Sequence, residues 1–422
     1  MLLHNIELLV FMLVNLEGEV MNKTILIPSV IFLFLSSFAS ADLMKEPLWA
    51  LKGNKHAQYS SMHEKITDCE QRSDGRWRLR KYPIKLRRYN FQLEFNPPFS
   101  NRDGKSCMAG FAQRFNGNIT INTKMPPIID VKGGGEYGHT DDDRSVALYW
   151  WAIATSHAVY NPSSKASKIV RNTLLDWAFS NALSKNIYAS YGSRPLEYEV
   201  IVLISRIVET VAALGSSITR EERQVLGPWL DGLVRKVQKS TWLSRQDNKQ
   251  YLVDYTLTLW AVINGDTKVI EKLALNYKHA IHDMRVDGSI VQESVRGGSS
   301  LQYQAIATQV LVKQAALIKN LTQVDIAEYK AEGNRELSDA IKYVIAGHKN
   351  PKVYTQKYGK LCAASSGSLE KPNLHWRRYA LKPLLEYANY EHQSFGLNFS
   401  ESQVPGQSEY ASSGNIKCMF TE

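Results

Sequence analysis

The stretch DDDRSVALYWWAIATSHAVY, residues 141–160, opens the part of the chain that decides the fold. Its three leading aspartates place negative charge where a helix N-terminus is positive. Behind them, apolar residues recur at intervals of three and four, at positions 146, 149, 150 and 153, and His157 continues the same face. This periodicity indicates an amphipathic helix with one buried side. We therefore expect a helical region to begin near residue 141.

Similar patterns follow, separated by short breaks such as Gly215-Ser216-Ser217 and Gly265-Asp266. Further helices are predicted at about residues 166–186, 196–214, 219–239, 249–263, 266–283, 301–320, 335–347 and 376–390. Helices of this length with short connections pack as antiparallel hairpins, and no solenoid-type repeat is visible. The sequence therefore predicts an all-α fold, a curved or closed array of helical hairpins whose inner ends form a cleft.

Composition and charge narrow the function classes. Of the 422 residues, 44% are hydrophobic and 22% charged, which excludes a wholly disordered chain, a collagen-like chain and a scaffold held by disulfides alone. Lys and Arg total 51 against 41 Asp and Glu, a formal net charge of +10. Such an excess attracts an acidic polysaccharide, nucleic acid or an acidic membrane surface. Nucleic acid is not expected as a partner, because no binding module for it is recognisable.

Residues 1–41 have the features of a segment removed on export. A short positive start at residues 22–23 precedes an apolar run over residues 25–38, and small residues then lead up to Ala41. That order is typical of a secretory signal peptide cleaved after Ala41, and the run is too short to favour a membrane span. Met21 is a better start than the first residue, which makes the residues before it an upstream extension. We expect a periplasmic or secreted protein without stable membrane insertion after cleavage; a retained N-terminal anchor is the alternative.

The remaining residues, 42–422, are predicted to form a single domain. Residues 42–140 are its loop-rich N-terminal part, because Asn96-Pro97-Pro98 and Gly133-Gly134-Gly135 break regular structure. A basic stretch at residues 76–88 contains aromatic residues and can steer a polyanion towards the cleft, or it can be surface only.

Four cysteines lie in the exported part, at Cys69, Cys107, Cys362 and Cys418. An oxidising compartment permits disulfides, and four cysteines allow three pairings. We favour the pairs Cys69–Cys107 and Cys362–Cys418, because each lies within one terminal region; free buried thiols are the alternative. No metal site is expected, because the sequence has no CxxC motif and no Cys/His cluster.

One window, DGSIVQESVRGGSSLQYQ over residues 287–304, differs from the helices around it. Glu293 and Arg296 lie beside a glycine pair just before a long helix, so Arg296 is near the positive helix end, where an anion is favoured. Tyr303 follows in the first turns of that helix. A tyrosine has a reference pKa of about 10, and a neighbouring arginine and helix end stabilise its phenolate. The alternatives are a half-buried structural tyrosine and an Arg296–Glu293 bridge.

The run DGSIVQESVRGGSSLQYQAIA resembles the signature of the alginate lyase superfamily, and the chain is identified as a divergent member. The upstream segment Asp247-Asn248-Lys249-Gln250-Tyr251-Leu252 is similar to the Asn-Asn-His…Tyr-Trp segment of that family. The resemblance implies an (α/α) toroid, an incomplete barrel of antiparallel helical hairpins. It also implies cleavage of uronate polysaccharides by β-elimination, without a cofactor.

The resemblance assigns roles to individual residues. Tyr303 matches the catalytic tyrosine that moves protons to and from the sugar. Arg296 matches the arginine that faces the uronate or supports the tyrosine, and Asn248 matches the asparagine that neutralises the substrate carboxylate. Gln302 and Lys249 depart from the family, because alginate lyases have histidines at both positions. These departures point to another uronate polymer, or to weak or absent activity.

The chemistry of elimination asks for these residue types independently. The C5 proton next to a carboxylate becomes acidic only when donors neutralise that carboxylate, and a base must then lie within about 3 Å of it. Gln302 can donate a hydrogen bond but takes no proton, and Lys249 can hold a carboxylate as a point charge. No metal is required. The residues expected to contact substrate are Gln302, Lys249, Tyr251, His139 in a glycine-rich loop, Arg377 and Arg378.

The sequence thus predicts a monomeric lyase that acts on an acidic, uronate-containing exopolysaccharide, with Tyr303 as base and acid. One alternative is a non-catalytic protein that binds acidic polysaccharide or serves exopolysaccharide assembly, and Gln302 favours it. The other is an (α/α) glycoside hydrolase, in which Glu293 pairs with Asp247 or Asp254 at a carboxylate separation of about 5–10 Å.

Overall fold

The computed structural model describes residues 121–128, 143–184, 198–239 and 247–359, together with Leu384. All of them belong to one compact unit, Leu43–Glu422. Among these residues the regular secondary structure is helical, and β pairing is limited to the isolated bridges Met284–Ile290 and Ala331–Arg335. The predicted all-α class is therefore confirmed.

The α-helices of the described part are α1 Asp143–Tyr160, α2 Lys165–Phe179, α3 Tyr198–Leu214, α4 Arg220–Gln238, α5 Asn248–Ile263, α6 Thr267–His282, the short α7 Val291–Ser294, α8 Ser300–Thr322, α9 Leu337–Lys349 and α10 Pro351–Gly359. Most of their bounds agree with the predicted segments to within a few residues. Helix α10 was not predicted. The segment predicted at about 376–390 lies outside the described residues except for Leu384, which is buried.

The helices form an inner and an outer layer. Each of the first three inner helices, α1, α3 and α5, packs against the helix that follows it after a short connection, which gives the hairpins α1–α2, α3–α4 and α5–α6. The inner helices also pack side by side, α1 on α3, α3 on α5 and α5 on α8, while α2 packs on α4 outside them. The inner row is therefore covered by the outer one and forms the core.

Burial follows from this arrangement. In α5, every residue except Lys249 is buried, and in α8 every residue from Ser300 to Ile318 is buried except Tyr303. A helix surrounded on all sides is apolar all round, whereas an outer helix needs one apolar face only. The stretch Val200–Ser217 of the inner row is accordingly apolar and long enough to cross a membrane, and 89% of it is buried inside the fold, as in a core helix.

A buried polar cluster joins three inner helices. Lys313 of α8 forms an ion pair with Glu209 of α3 at 2.6 Å, and both side chains are fully buried. The Tyr255 hydroxyl of α5 donates a hydrogen bond to the same carboxylate, and Lys313 Nζ lies 5.0 Å from the centroid of the Tyr255 ring. Because a buried charge is costly unless it is paired, the cluster fixes how the three helices meet.

Candidate functional site

The loop between α6 and α8 begins with a turn that only glycine can complete. The Asp287 carboxylate accepts hydrogen bonds from the Ser289 backbone N–H at 3.0 Å and from its hydroxyl at 2.7 Å. Between them, Gly288 has φ +82°, and a Cβ added there would lie 2.0 Å from the Asp339 carbonyl oxygen of α9. The turn is therefore packed directly against the α9 backbone, which leaves no room for a side chain.

Gln304, which is fully buried in α8, holds the same loop onto its helix. Its side-chain Nε2 donates to the Gly288 carbonyl at 3.1 Å, and its Oε1 accepts from the Ile290 N–H at 2.7 Å. Two backbone groups that would otherwise be buried without partners are thus satisfied. The placement of the loop is therefore set relative to the first turns of α8.

Helix α10 anchors the turn from the other side. Lys357 Nζ and the Tyr358 hydroxyl lie 2.6 and 2.9 Å from Asp287 Oδ2, and the Arg285 guanidinium stacks 4.0 Å from the centroid of the Tyr358 ring. Burial alone would raise the pKa of the Asp287 carboxyl, but hydrogen bonds from Lys357, Ser289 and Tyr358 outweigh it and lower the pKa. Asp287 is therefore held as a carboxylate that binds the loop to α10.

Arg296 and Tyr303 lie in direct contact where this loop enters α8. The Arg296 guanidinium carbon is 4.2 Å from the centroid of the Tyr303 ring, a cation–π distance. Arg296 also pairs with Glu293, with 2.7 Å between Nε and Oε2, and its side chain remains 22% exposed. The two interpretations of Arg296 do not exclude each other, because the side chain pairs with Glu293 and contacts the Tyr303 ring at once.

Glu293 and Asp247 tie this loop to the start of α5. Glu293 Oε1 accepts a hydrogen bond from the Asn248 backbone N–H at 2.6 Å. Asp247 caps α5, because its Oδ1 accepts hydrogen bonds from the backbone N–H groups of Lys249 and Gln250 at 3.2 Å each. Its Oδ2 lies 3.6 Å from Arg296 Nη2. Because Asp247 is the N-cap, the Asn248 side chain is not used as one.

Two polar side chains beside this network have no hydrogen-bond partner among the described residues. One is Asn248, whose amide oxygen and nitrogen both lack a partner, and the other is Tyr251, whose hydroxyl lacks one. Each of the two residues is only 1% exposed. Burial raises the pKa of the Tyr251 phenol well above its ordinary value, and the charges of Asp283, Glu293, Asp247 and Asp254 raise it further. Tyr251 therefore stays protonated, and its hydroxyl can donate a hydrogen bond.

The exceptions to burial in α5 and in the Ser300–Ile318 part of α8 both lie next to this network. Lys249 follows Asn248 directly, and Tyr303 is the residue that Arg296 covers. Gln302, beside Tyr303, is 8% exposed. The structure thus brings Arg296 and Tyr303 together with the start of α5, which carries Asn248, Lys249 and Tyr251. Gln302 precedes Tyr303 in α8.

Several sequence-predicted residues cannot be placed relative to this cluster. His139, Arg377, Arg378 and the cysteines Cys69, Cys107, Cys362 and Cys418 all lie outside the described residues, as do residues 1–41. Within the described ranges, no group of three or more His, Cys, Asp or Glu side chains is arranged to hold a metal ion.

The cluster also contains two residues whose part the sequence reasoning missed. The sequence suggested Asp247 and Glu293 only as hydrolase candidates, and Glu293 as a bridge to Arg296. In the structure, the contacts of these two residues link the start of α5 to the loop before α8. The Asp-Asn order at a helix start was a usable signal for the cap. No local signal pairs Glu293 with a backbone group 45 residues away.

The chain has distant relatives of known sequence. It is 22% identical over 195 residues to an alginate lyase of Cobetia marina, a match that covers 45% of this chain and 51% of that protein. An alginate lyase of Pseudomonas fluorescens matches with the same identity and coverage. The chain thus spans about half the length of the curated relatives it matches.

Solved structures show the shared fold over a larger share of the chain. Alginate lyase A1-III from Sphingomonas species A1 matches with a TM-score of 0.54 and 19% identity, covering 78% of this chain and 97% of that one. An alginate lyase from Bacteroides ovatus matches with a TM-score of 0.50 and 14% identity, covering 87% and 97%. The predicted (α/α) toroid is confirmed by these similarities.

A family model described as alginate lyase matches residues 133–354, more than half of the 422 residues. This match includes α1 to α9 and every described residue of the cluster around Tyr303. The chain therefore belongs to the alginate lyase family.

Proposed function

We propose that this protein is a polysaccharide lyase that cleaves a uronate-containing polysaccharide by β-elimination, with Tyr303 as base and acid. The observation that carries the proposal is the contact between the Arg296 guanidinium and the Tyr303 ring at 4.2 Å. It occurs at the one position of α8 between Ser300 and Ile318 that is not buried. Family membership supports the reaction class, and the relatives named above are alginate lyases.

In this mechanism the phenolate of Tyr303 takes the C5 proton of a uronate. The electron pair of the C–H bond forms the C4–C5 double bond, and the bond from C4 to the glycosidic oxygen breaks. The same phenol then returns its proton to the leaving oxygen, so atoms and charge balance without added water. The Arg296 guanidinium lies against the ring of this base, and general acid–base catalysis of this kind contributes about 10²–10⁴ in rate.

The substrate carboxylate must be neutralised while charge develops at C5. The Asn248 amide is suited to this role, because both its polar atoms are buried and lack a partner among the described residues. Lys249, the one residue of α5 that is not buried, adds positive charge beside it. Gln302 contributes a hydrogen bond, and Tyr251 acts as a donor because its phenol stays protonated.

The remaining expectations of the sequence belong to the same proposal. His139, Arg377 and Arg378 contact further uronates of a polymer that the net charge of +10 attracts. The protein acts as a monomer in the periplasm or outside the cell, after cleavage behind Ala41, with the disulfides Cys69–Cys107 and Cys362–Cys418. Because Lys249 and Gln302 occupy positions at which alginate lyases have histidines, other uronate polymers are candidate substrates alongside alginate.

The contacts of Glu293 argue against the glycoside hydrolase alternative. Its side chain is fully buried, Oε1 accepts from the Asn248 N–H at 2.6 Å and Oε2 is paired with Arg296 at 2.7 Å. With both oxygens engaged, this carboxyl group is poorly placed to act as acid or base at a glycosidic oxygen. A binding protein without activity remains the second candidate, because Gln302 cannot take part in proton transfer.

Incubation with a panel of polymers tests the proposal. The panel contains polymannuronate, polyguluronate, polyglucuronate and a glucuronate-containing capsule, with a neutral polysaccharide as control. We expect the ultraviolet absorbance of a conjugated uronate to rise with at least one acidic polymer and not with the neutral one. Folded protein that gives flat traces on all acidic polymers, yet binds one of them, would favour the binding protein.

A further inference from the structure

We propose that Glu293 is the positioning residue that sets Asn248 and the Arg296–Tyr303 pair in register with each other. The inference rests on the proposed function, because it names the residue that arranges the same site. Asn248 begins α5, whereas Arg296 and Tyr303 belong to the loop and helix that follow more than forty residues later. Elimination needs both groups on one uronate at once, so their relative placement must be fixed.

Glu293 has one close polar contact with Asn248 and one with Arg296. Its Oε1 accepts the Asn248 backbone N–H at 2.6 Å, and its Oε2 pairs with Arg296 Nε at 2.7 Å. Glu293 is fully buried, and the Asp247 side chain is only 1% exposed. Because Glu293 lies three residues before Arg296 in the same loop, its hydrogen bond with the Asn248 N–H joins that loop to the start of α5.

The same contacts set the orientation of the guanidinium. The group is planar, and its edge is used by Glu293 at Nε and by Asp247 at Nη2, 3.6 Å from Oδ2. With this edge directed at two carboxylates, the guanidinium carbon of Arg296 lies 4.2 Å from the centroid of the Tyr303 ring. The cation–π contact therefore depends on the acidic pair beside Arg296 and not on Arg296 alone.

The variant Glu293→Gln removes the charge and keeps the shape. Burial raises the pKa of Glu293, with Arg296 opposing the shift. Arg296 is 22% exposed and keeps the Asp247 carboxylate 3.6 Å away, so its charge is not left buried and unpaired, and the variant is expected to fold. Its amide oxygen can still accept from the Asn248 N–H, while the hold on Arg296 is weakened. We expect kcat to fall about 10²-fold with KM within about threefold, since geometry and not binding is lost.

A matched control is Asp231→Asn, which removes an ion pair of similar length, 2.7 Å to Arg235, on the outer helix α4. It should leave kcat unchanged. A double-mutant cycle with Arg296→Gln distinguishes positioning from an independent role. If Glu293 acts through Arg296, then Glu293→Gln added to Arg296→Gln should lower kcat by less than about threefold further. A wild-type kcat for Glu293→Gln, or full additivity in the cycle, would overturn the inference.

A spectroscopic measurement separates this inference from the proposed function. In protein labelled with ¹³C in its tyrosine rings, the Tyr303 signal is the one missing from Tyr303→Phe. Glu293→Gln should shift this signal, and Asp231→Asn should not. If no polymer is cleaved by the wild-type protein, the proposed function fails, and the shift still decides whether Glu293 governs the Arg296–Tyr303 contact. An unchanged signal would refute the positioning role.

Discussion

Replacing Tyr303 with phenylalanine is expected to lower kcat on a cleaved uronate polymer by about 10³-fold or more. The substitution removes one oxygen atom and keeps the ring against which Arg296 packs at 4.2 Å. The same phenol serves as base and as acid in the proposed mechanism, so both proton transfers lose their carrier. Affinity for the polymer should stay within about threefold, because the proposed uronate contacts of Asn248 and Lys249 are retained.

Steady-state kinetics followed by ultraviolet absorbance gives kcat, and binding of the polymer to each variant gives the affinity. Tyr354→Phe is a suitable control, because Tyr354 is also half-buried but packs against Tyr343 in α9, at 4.9 Å between ring centroids. The control should keep wild-type kinetics. A Tyr303→Phe variant that retained a tenth or more of the activity would show that another group moves the proton.

Replacing Lys313 with methionine should destabilise the fold by about 3–5 kcal/mol, the largest effect on stability that we expect. Lys313 and Glu209 are both fully buried and 2.6 Å apart. Methionine fills much of the space but removes the cation 2.6 Å from the Glu209 carboxylate, and a hydrogen bond such as that from Tyr255 does not compensate a full charge. The free energy of unfolding from urea denaturation measures the loss.

The double variant Lys313→Met/Glu209→Gln is the control for this prediction. It removes the unpaired charge and leaves an amide oxygen to accept from the Tyr255 hydroxyl. We expect it to recover at least half of the stability lost by Lys313→Met, because breaking a buried pair costs more than removing it whole. If the single variant lost less than about 1 kcal/mol, the cluster would not hold the three inner helices together.

The fold was largely predictable from the sequence, because apolar residues recur with a helical period in both the inner and the outer helices. The capping signal at Thr219 and Glu222, for example, sets the start of α4 at Arg220, one residue from the prediction. Helix α10 was missed for a physical reason. Its residues Pro351–Gly359 are mostly polar or partly exposed, and contacts with Asp287 hold it in place across the fold.

The site was predictable only in part. The window at 287–304 identified Arg296 and Tyr303 from their order, and the structure brings them into contact. The part played by Glu293 could not be predicted, because its bond to the Asn248 backbone depends on how α5 and α8 meet. The sequence left open whether Asn248 caps its helix, and the structure gives that position to Asp247.

The masses of the products test the central claim most directly. A defined oligosaccharide of a polymer that raises the absorbance is incubated with the protein, and the products are weighed by mass spectrometry. If Tyr303 carries out β-elimination, the masses of the two fragments add up to the mass of the substrate, and Tyr303→Phe yields neither fragment. Fragments whose summed mass exceeds the substrate by one water would mean hydrolysis and would contradict the account.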